Sequence, residues 1–313
     1  SAYRASKEEK FGILDNYRLS KIETALGENT GQEIAVLGTG TQHTYTRNFL
    51  YNTIHNLEYK GGLELGSFPG SKFQKIHFLQ WAIKYQNERF DDQLNEWERI
   101  DSAGYSLPND ENSLILNRVL KSKNQVSNDR IQLYVQDGYS IISDRSEIRV
   151  TGGVRATYRS LNGEWFFSPR VQLLYKPLAW KKDISFKLAG GIYNQVPLYR
   201  EMRRPDGTLN TSLKSQKSLH LVAGLTYDFT WESVSNRPFR IISEVYYKDL
   251  WDLVSYEVDN VRIRYAGENN SSGYVLGWDF RINGEFVPGA ESWINLSILS
   301  AREKLNGVEH LRY

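Results

Sequence analysis

The stretch Tyr274-Val275-Leu276-Gly277-Trp278-Asp279-Phe280-Arg281-Ile282-Asn283-Gly284-Glu285-Phe286 decides the fold class. Successive side chains of a β-strand point to opposite faces, so its residues sort into two sets. Tyr274, Leu276, Trp278, Phe280, Ile282 and Phe286 form one face, and Val275, Gly277, Asp279, Arg281, Asn283 and Glu285 the other. A helix would scatter both sets around its axis, whereas period two gives one oily and one polar surface. The same alternation runs outward from this stretch. In Lys217 to Phe229 the oily set is Leu219, Leu221, Ala223, Leu225, Tyr227 and Phe229, and in Asp183 to Val196 it is Ile184, Phe186, Leu188, Gly190, Ile192 and Val196. Less regular versions occupy Arg130 to Ile142, Glu147 to Arg159, Trp165 to Lys176, Phe239 to Trp251 and Ser292 to Ser300.

Each segment reaches or exceeds the ~9 to 11 residues that a tilted strand needs to cross a bilayer. It is about twice the ~5 to 6 residues usual for a soluble sandwich strand. Upstream, Tyr45 to Lys60 and Ile76 to Trp97 read as strands protruding beyond the membrane, and Phe11 to Ala25 as a weaker one. The expected count is about eleven strands.

Connections differ in character by side. Short turns are expected at Ser143 to Ser146, Pro177 to Lys182 and Pro288 to Glu291, and a longer one at Phe229 to Pro238. Longer polar loops are expected at Ser102 to Asn128, Pro197 to Lys214 and Asn260 to Ser272, with a tight turn at Asn162-Gly163 on the same rim. Short turns on one rim and long loops on the other is the outer-membrane barrel arrangement. Trp165, Trp180, Trp231, Trp251 and Trp293 near strand ends suit an interfacial girdle.

Composition agrees. Aromatics make up 13% of the 313 residues, Tyr supplies 20 of them, and Met occurs once, which suits half-buried strands. Lys plus Arg (39) nearly balances Asp plus Glu (37), so no basic surplus points to nucleic acid. Cys is absent, which removes disulfides, thiolate zinc sites and a cysteine nucleophile. Mean hydropathy is -0.54 and no run approaches the ~18 apolar residues of a spanning helix. A barrel faces lipid with every second residue only, so that average is compatible with a membrane strand.

From Val135 onward the chain resembles the TonB-dependent outer-membrane receptors. The resemblance lies in an ordered set: Val135-Gln136-Asp137-Gly138-Tyr139, Gly152-Gly153-Val154-Arg155, Phe167-Ser168-Pro169-Arg170 and Tyr175-Lys176-Pro177. Pro197-Leu198-Tyr199-Arg200-Glu201, Gln216-Lys217-Ser218, Glu244-Val245-Tyr246-Tyr247-Lys248 and Gly273-Tyr274 continue it, so that it covers about Asn128 to Glu303. It implies an all-β, antiparallel up-and-down transmembrane barrel, with about eleven strands visible of the 22 expected. All of residues 1–313 would belong to that one barrel domain, with no plug domain or TonB-contacting segment in this chain. It further implies bacterial outer-membrane localisation and import of a scarce nutrient such as a ferric siderophore, vitamin or oligosaccharide. TonB and an inner-membrane complex would supply energy through the plug, and a surface lipoprotein is a further possible partner. Two alternatives stay open: a passive or structural barrel such as a porin or adhesin, and a soluble β-rich binding domain.

No reaction is legible. His43, His55, His77, His220 and His310 lack metal-ligand spacing, no Gly-x-Ser-x-Gly elbow occurs, and Asp91-Asp92 reads as a solvated pair. Gly38-Thr39-Gly40-Thr41 lacks the Gly-Lys-Ser/Thr ending of a phosphate loop and is expected as a loop tip. No enzyme activity and no cofactor are therefore expected. The polar face is richer: Glu147, Arg149, Arg155, Arg159, Arg170, Lys187, His220, Asp228, Arg240, Glu244, Lys248, Asp279, Arg281 and Glu285 fall on it. Tyr199 to Gly207 carries three Arg in five residues, suited to an anionic ligand. The candidate ligand contacts are Arg200, Glu201, Arg203 and Arg204 in that loop and His220, Glu244, Asp279 and Arg281 on the polar face. Tyr246, Tyr247, Trp251 and Tyr256 are the alternative, as stacking partners for sugar rings.

Overall fold

The computed structural model describes residues 2–13, 39–66, 74–101, 116, 118–259, 262–287 and 289–312. These form twelve strands: β1 (Ala2–Ile13), β2 (Thr39–Gly66), β3 (Gln74–Asp101), β4 (Arg118–Ile142), β5 (Ser146–Arg159), β6 (Glu164–Pro177), β7 (Asp183–Gln195), β8 (Gln216–Trp231), β9 (Ser235–Asp259), β10 (Arg262–Val287), β11 (Ala290–Leu305) and β12 (Val308–Arg312). One short helix, α1 (Tyr199–Met202), lies between β7 and β8. Eleven strands have 12 residues or more, and β12 adds a five-residue closing hairpin. The sheet order follows the chain from β1 to β12, and β1 and β12 do not pair with each other among the described residues. Up-and-down order needs only hairpin connections, the simplest way to join antiparallel neighbours.

Contacts divide the chain into two units, Ser1–Thr53 with Arg89–Ser127 and Asp206–Thr208, and Ile54–Glu88 with Asn128–Pro205 and Leu209–Tyr313. In the first, β1 pairs with β2 from Ala2↔Leu50 to Ile13↔Thr39. Tyr45 stacks on Trp97 at 6.0 Å, and Asn48 ties β2 to β3 through Glu96 (2.6 Å) and the Asn95 N–H (3.0 Å).

The second unit carries the membrane-crossing pattern. Registers hold the two faces in step: Val154↔Pro169, Leu173↔Leu188, Leu188↔Ala223 and Leu221↔Tyr247 share one side. Val154, Val171, Leu188, Leu221, Val245, Leu276 and Ile298 are all exposed there, and Leu188 leaves 56% of its surface open. So wide an apolar surface is stable only against lipid or another apolar body. Fourteen residues in β5 and in β6 span about 35 Å once tilted, enough to cross the ~25 Å apolar band. Among the described residues no helix is long and apolar enough to cross a membrane.

Several boundaries differ from the sequence reading. β4 begins at Arg118 and β10 at Arg262, so much of the expected loops Ser102 to Asn128 and Asn260 to Ser272 is strand. Polar composition hides these extensions because outside the bilayer neither of their faces is required to be apolar. β10 holds its pairing through register shifts between Tyr265 and Gly273. Thr39 to Thr41 lies in β2 rather than at a loop tip, while Gly38 is outside the described residues. Of Phe11 to Ala25, residues 11–13 close β1 and 14–25 lie outside the described residues. The Phe229 to Pro238 connection is a short turn after all, since β8 runs to Trp231 and β9 starts at Ser235.

Candidate functional site

At the long-loop rim, residues 196–205 and 209–215 fold over the polar face. Their backbone polar groups need partners once out of water, and the neighbouring strand ends supply them. Arg159, the last residue of β5, is fully buried; its Nη1 donates to the Leu213 carbonyl at 3.0 Å and its Nη2 lies 2.9 Å from Met202 Sδ. Asn162 donates to the same carbonyl at 3.2 Å. Glu164 accepts from both the N–H and the hydroxyl of buried Ser215 (3.0 and 2.9 Å). On the opposite flank Asn269 accepts from Lys214 N–H (2.9 Å) and donates to the Lys214 and Asp252 carbonyls (3.1 and 2.7 Å). Asn210 donates to the Gly267 carbonyl at 2.8 Å. Gly267 has φ +71°, and a Cβ there would meet Arg204 Cγ at 2.7 Å, so the bulge that meets this loop requires glycine. The segment is a braced roof with buried Tyr199, Met202 and Leu213 inside it.

The four expected loop contacts separate within this roof. Arg200 is exposed. Glu201 is buried and engaged, its Oε2 accepting the Leu198 N–H at 2.7 Å and its Oε1 accepting from Gln216 at 3.0 Å. It therefore caps α1. Arg203 forms a backbone bridge with Leu209, and Arg204 lies 3.7 Å from Glu268.

Beneath the roof, the four polar-face candidates fall into separate cross-strand rows. Arg170, Gly191, His220 and Lys248 follow one another across β6 to β9. Arg170 lies over the Tyr193 ring (4.1 Å), Tyr193 stacks on His220 (4.3 Å), and His220 Nε2 sits 2.9 Å from Ser218 Oγ. A second row, Lys187, Gly224, Glu244 and Asp279, joins Lys187 to Glu244 at 3.0 Å. Arg281 belongs to a third row and donates to Asn283 at 2.6 Å. Tyr246 and Tyr247 point to opposite faces. Tyr246 lies under Lys248 Nζ (5.2 Å) on the polar side, and Tyr247 packs by Tyr274 (6.3 Å) on the apolar side, so the two cannot grip one ring together. Tyr256 lies further out, against Tyr265 at 6.0 Å.

Arg155, Arg170, Tyr193 and Lys248 were not among the expected ligand contacts. Alternation places them on the polar face but does not say which neighbours they meet; pairing register does. An open groove of about 300 Å³ lies mainly on the apolar side, lined by Trp81, Ile83, Leu133, Val135, Val154 and Ala156. Its walls offer a small molecule no charge, and lipid fills such a surface. Among the described residues no group of His, Cys, Asp and Glu could hold a metal ion.

Nothing among the curated proteins matches the chain. Among solved structures, the outer membrane transporter YddB of Escherichia coli is similar at 14% identity and a TM-score of 0.50, over 87% of this chain and 36% of that one. The RagAB peptide transporter (13%, TM-score 0.45) and the pyoverdine receptor FpvA of Pseudomonas aeruginosa PAO1 (12%, TM-score 0.36) align over 85% and 86% of this chain and 31% and 48% of theirs. The chain thus spans a third to a half of the length of these proteins. The family model described as TonB dependent receptor-like, beta-barrel, matches residues 9–306. With its strand order, apolar outer face and roofed polar face, the chain belongs to the TonB-dependent receptor β-barrel family of the bacterial outer membrane.

Proposed function

We propose that this chain is the wall-forming part of an importer that takes a scarce nutrient, such as a ferric siderophore, vitamin or oligosaccharide, across the outer membrane. The observation that carries this reading is the roof of residues 196–205 and 209–215 held over a charged, aromatic-rich wall. A passive pore works best with an unobstructed lumen, whereas a receptor holds its ligand before releasing it. Energy would come from TonB and its inner-membrane complex acting through a plug domain elsewhere in the protein. The solved structure similar at a TM-score of 0.50 carries the name of an outer membrane transporter, in keeping with a role in transport.

The test joins two measurements on the native gene product. In purified outer membranes, a heat-shiftable band of about twice the 36.2 kDa of this chain or more is expected. A deletion strain should lose energy-dependent growth on one limiting nutrient among iron chelates, cobalamin and glycans. A product near 36.2 kDa would favour a small closed barrel, and one found only in the soluble fraction a soluble β domain.

A further inference from the structure

We infer that Arg155, Arg170, His220 and Lys248 form an anion-binding strip under the roof, which takes a small solute bearing two or more carboxylate or phosphate groups. The inference rests on the import reading for its biological use, although the site stands on its own geometry. Nearer the short-turn rim most polar-face cations are held by carboxylates, Arg149–Glu147 at 3.4 Å, Lys176–Asp183 at 2.7 Å, Lys187–Glu244 at 3.0 Å and Arg240–Asp228 at 2.6 Å, and Arg281 is tied to Asn283 at 2.6 Å. Further out, Arg130 pairs with Glu88 at 2.9 Å. Between these levels, Arg155, Arg170 and Lys248 have no carboxylate partner among the described residues, and their contacts are aromatic. Arg155 lies over Tyr134 at 5.7 Å, Arg170 over Tyr193 and Lys248 over Tyr246. A cation over a ring face keeps its charge and most of its hydrogen-bonding edge available.

The strip lies toward the roofed rim, Arg155 being four residues before Arg159, which holds the Leu213 carbonyl. Arg155 and Arg170 are each two residues along their strands from buried Thr157 and Ser168, yet both remain exposed. Gly191 makes this possible: a Cβ there would meet Arg170 Cγ at 2.9 Å, so only glycine lets the Arg170 stem lie across β7. The Cα atoms of Arg170 and Lys248 are three strand spacings apart, about 14 Å at ~4.8 Å per strand. Arg170 lies over Tyr193, which stacks on His220, and Lys248 over Tyr246 closes the other end of the row. That spacing fits two anionic groups on one solute better than a single carboxylate, and Arg offers a bidentate fork where Lys offers a point charge. An acidic protein segment is the competing occupant, and the test separates the two.

The full-length receptor, purified in detergent, is titrated calorimetrically with citrate, pyrophosphate and the neutral sugar maltotriose. Saturable binding of citrate or pyrophosphate and none of maltotriose is expected. Arg170→Gln and Lys248→Gln should each weaken it by about tenfold or more, Arg170→Lys by less, and Lys182→Gln in an exposed turn not at all. The heat-shifted band verifies folding of each variant, with Arg155→Gln as the substitute should one fail. The inference is overturned if neither anion binds, if the Gln variants bind like the parent, or if their sole effect is to make an N-terminal domain sensitive to trypsin. That last result would assign the strip to packing against protein. Energised uptake by whole cells reads the import proposal separately, so binding without uptake would sink that proposal and leave the strip standing.

Discussion

Leu188 and Ala189 are neighbours at the centre of the 13-residue strand β7 and point to opposite faces. Leu188 sits on the apolar side between Leu173 and Ala223 with 56% of its surface open, whereas Ala189 sits on the polar side between Gln172 and Val222. Leu188→Arg places a guanidinium in hydrocarbon near the middle of the band, at a cost of about 2 to 4 kcal/mol. That is roughly a 30- to 700-fold loss in folding equilibrium. Ala189→Arg puts the same side chain into the aqueous lumen and should cost within about 0.5 kcal/mol. The assay is urea unfolding of the full-length receptor in phosphatidylcholine vesicles, followed by tryptophan emission and by the heat-shifted band. Equal costs for the two variants would refute the assignment of faces. A large cost for both would mean two dry faces, as in a soluble sandwich.

Three further substitutions probe the rims and the lipid face. Arg159→Ala removes the donor that holds Leu213, a charge-assisted bond worth about 1.5 to 3 kcal/mol, so trypsin should cut residues 200–204 faster while the strands stay folded. Glu285, at the short-turn rim, is held below its ordinary carboxylate value by the Ser235 hydroxyl and then by the Gly289 N–H, with Arg237 adding to this and burial opposing it. A depressed folded value means stability that is fully present above the unfolded value, about 4.5, and lost as pH falls through the folded one; hydrogen exchange at the β10–β11 turn should rise on acidification, and Glu285→Gln should abolish that dependence. Ser243→Ala leaves the Trp278 indole N–H, now 2.9 Å from the Ser243 hydroxyl, unpaired on the lipid side, at about 1 to 3 kcal/mol in the same urea assay.

The faces of β5 to β11 were legible because one side of each strand is buried in lipid and period two records that constraint directly. The strand extensions were not. Outside the bilayer neither face of β4 near Lys121 or of β10 near Asn269 needs to be apolar, so residues suited to a loop and to a solvated strand are the same. Turn length at Phe229 to Pro238 was misjudged for a related reason. Glu232 to Val234 make the turn, while Thr230↔Pro238 still pair, because a proline facing away from a ladder hydrogen bond is tolerated at a strand end.

The roof shows a different limit. Three arginines in a polar loop look free in sequence, and an anion-binding role follows from charge alone. Folding spends part of that charge elsewhere: Glu201 closes α1, Arg204 turns to Glu268, and the Leu213 carbonyl draws Arg159 out of the wall below. The cations of the strip come from β5, β6 and β9, spread over 94 residues from Arg155 to Lys248. No local motif could have gathered them, because their proximity is set by registers such as Arg170↔Gly191 and His220↔Lys248, each fixed by the hydrophobic face on the other side of the same strands. The oily face that anchors the sheet in lipid therefore also determines which charges meet inside, and a one-residue slip of β7 would dissolve the strip as surely as removing Arg170.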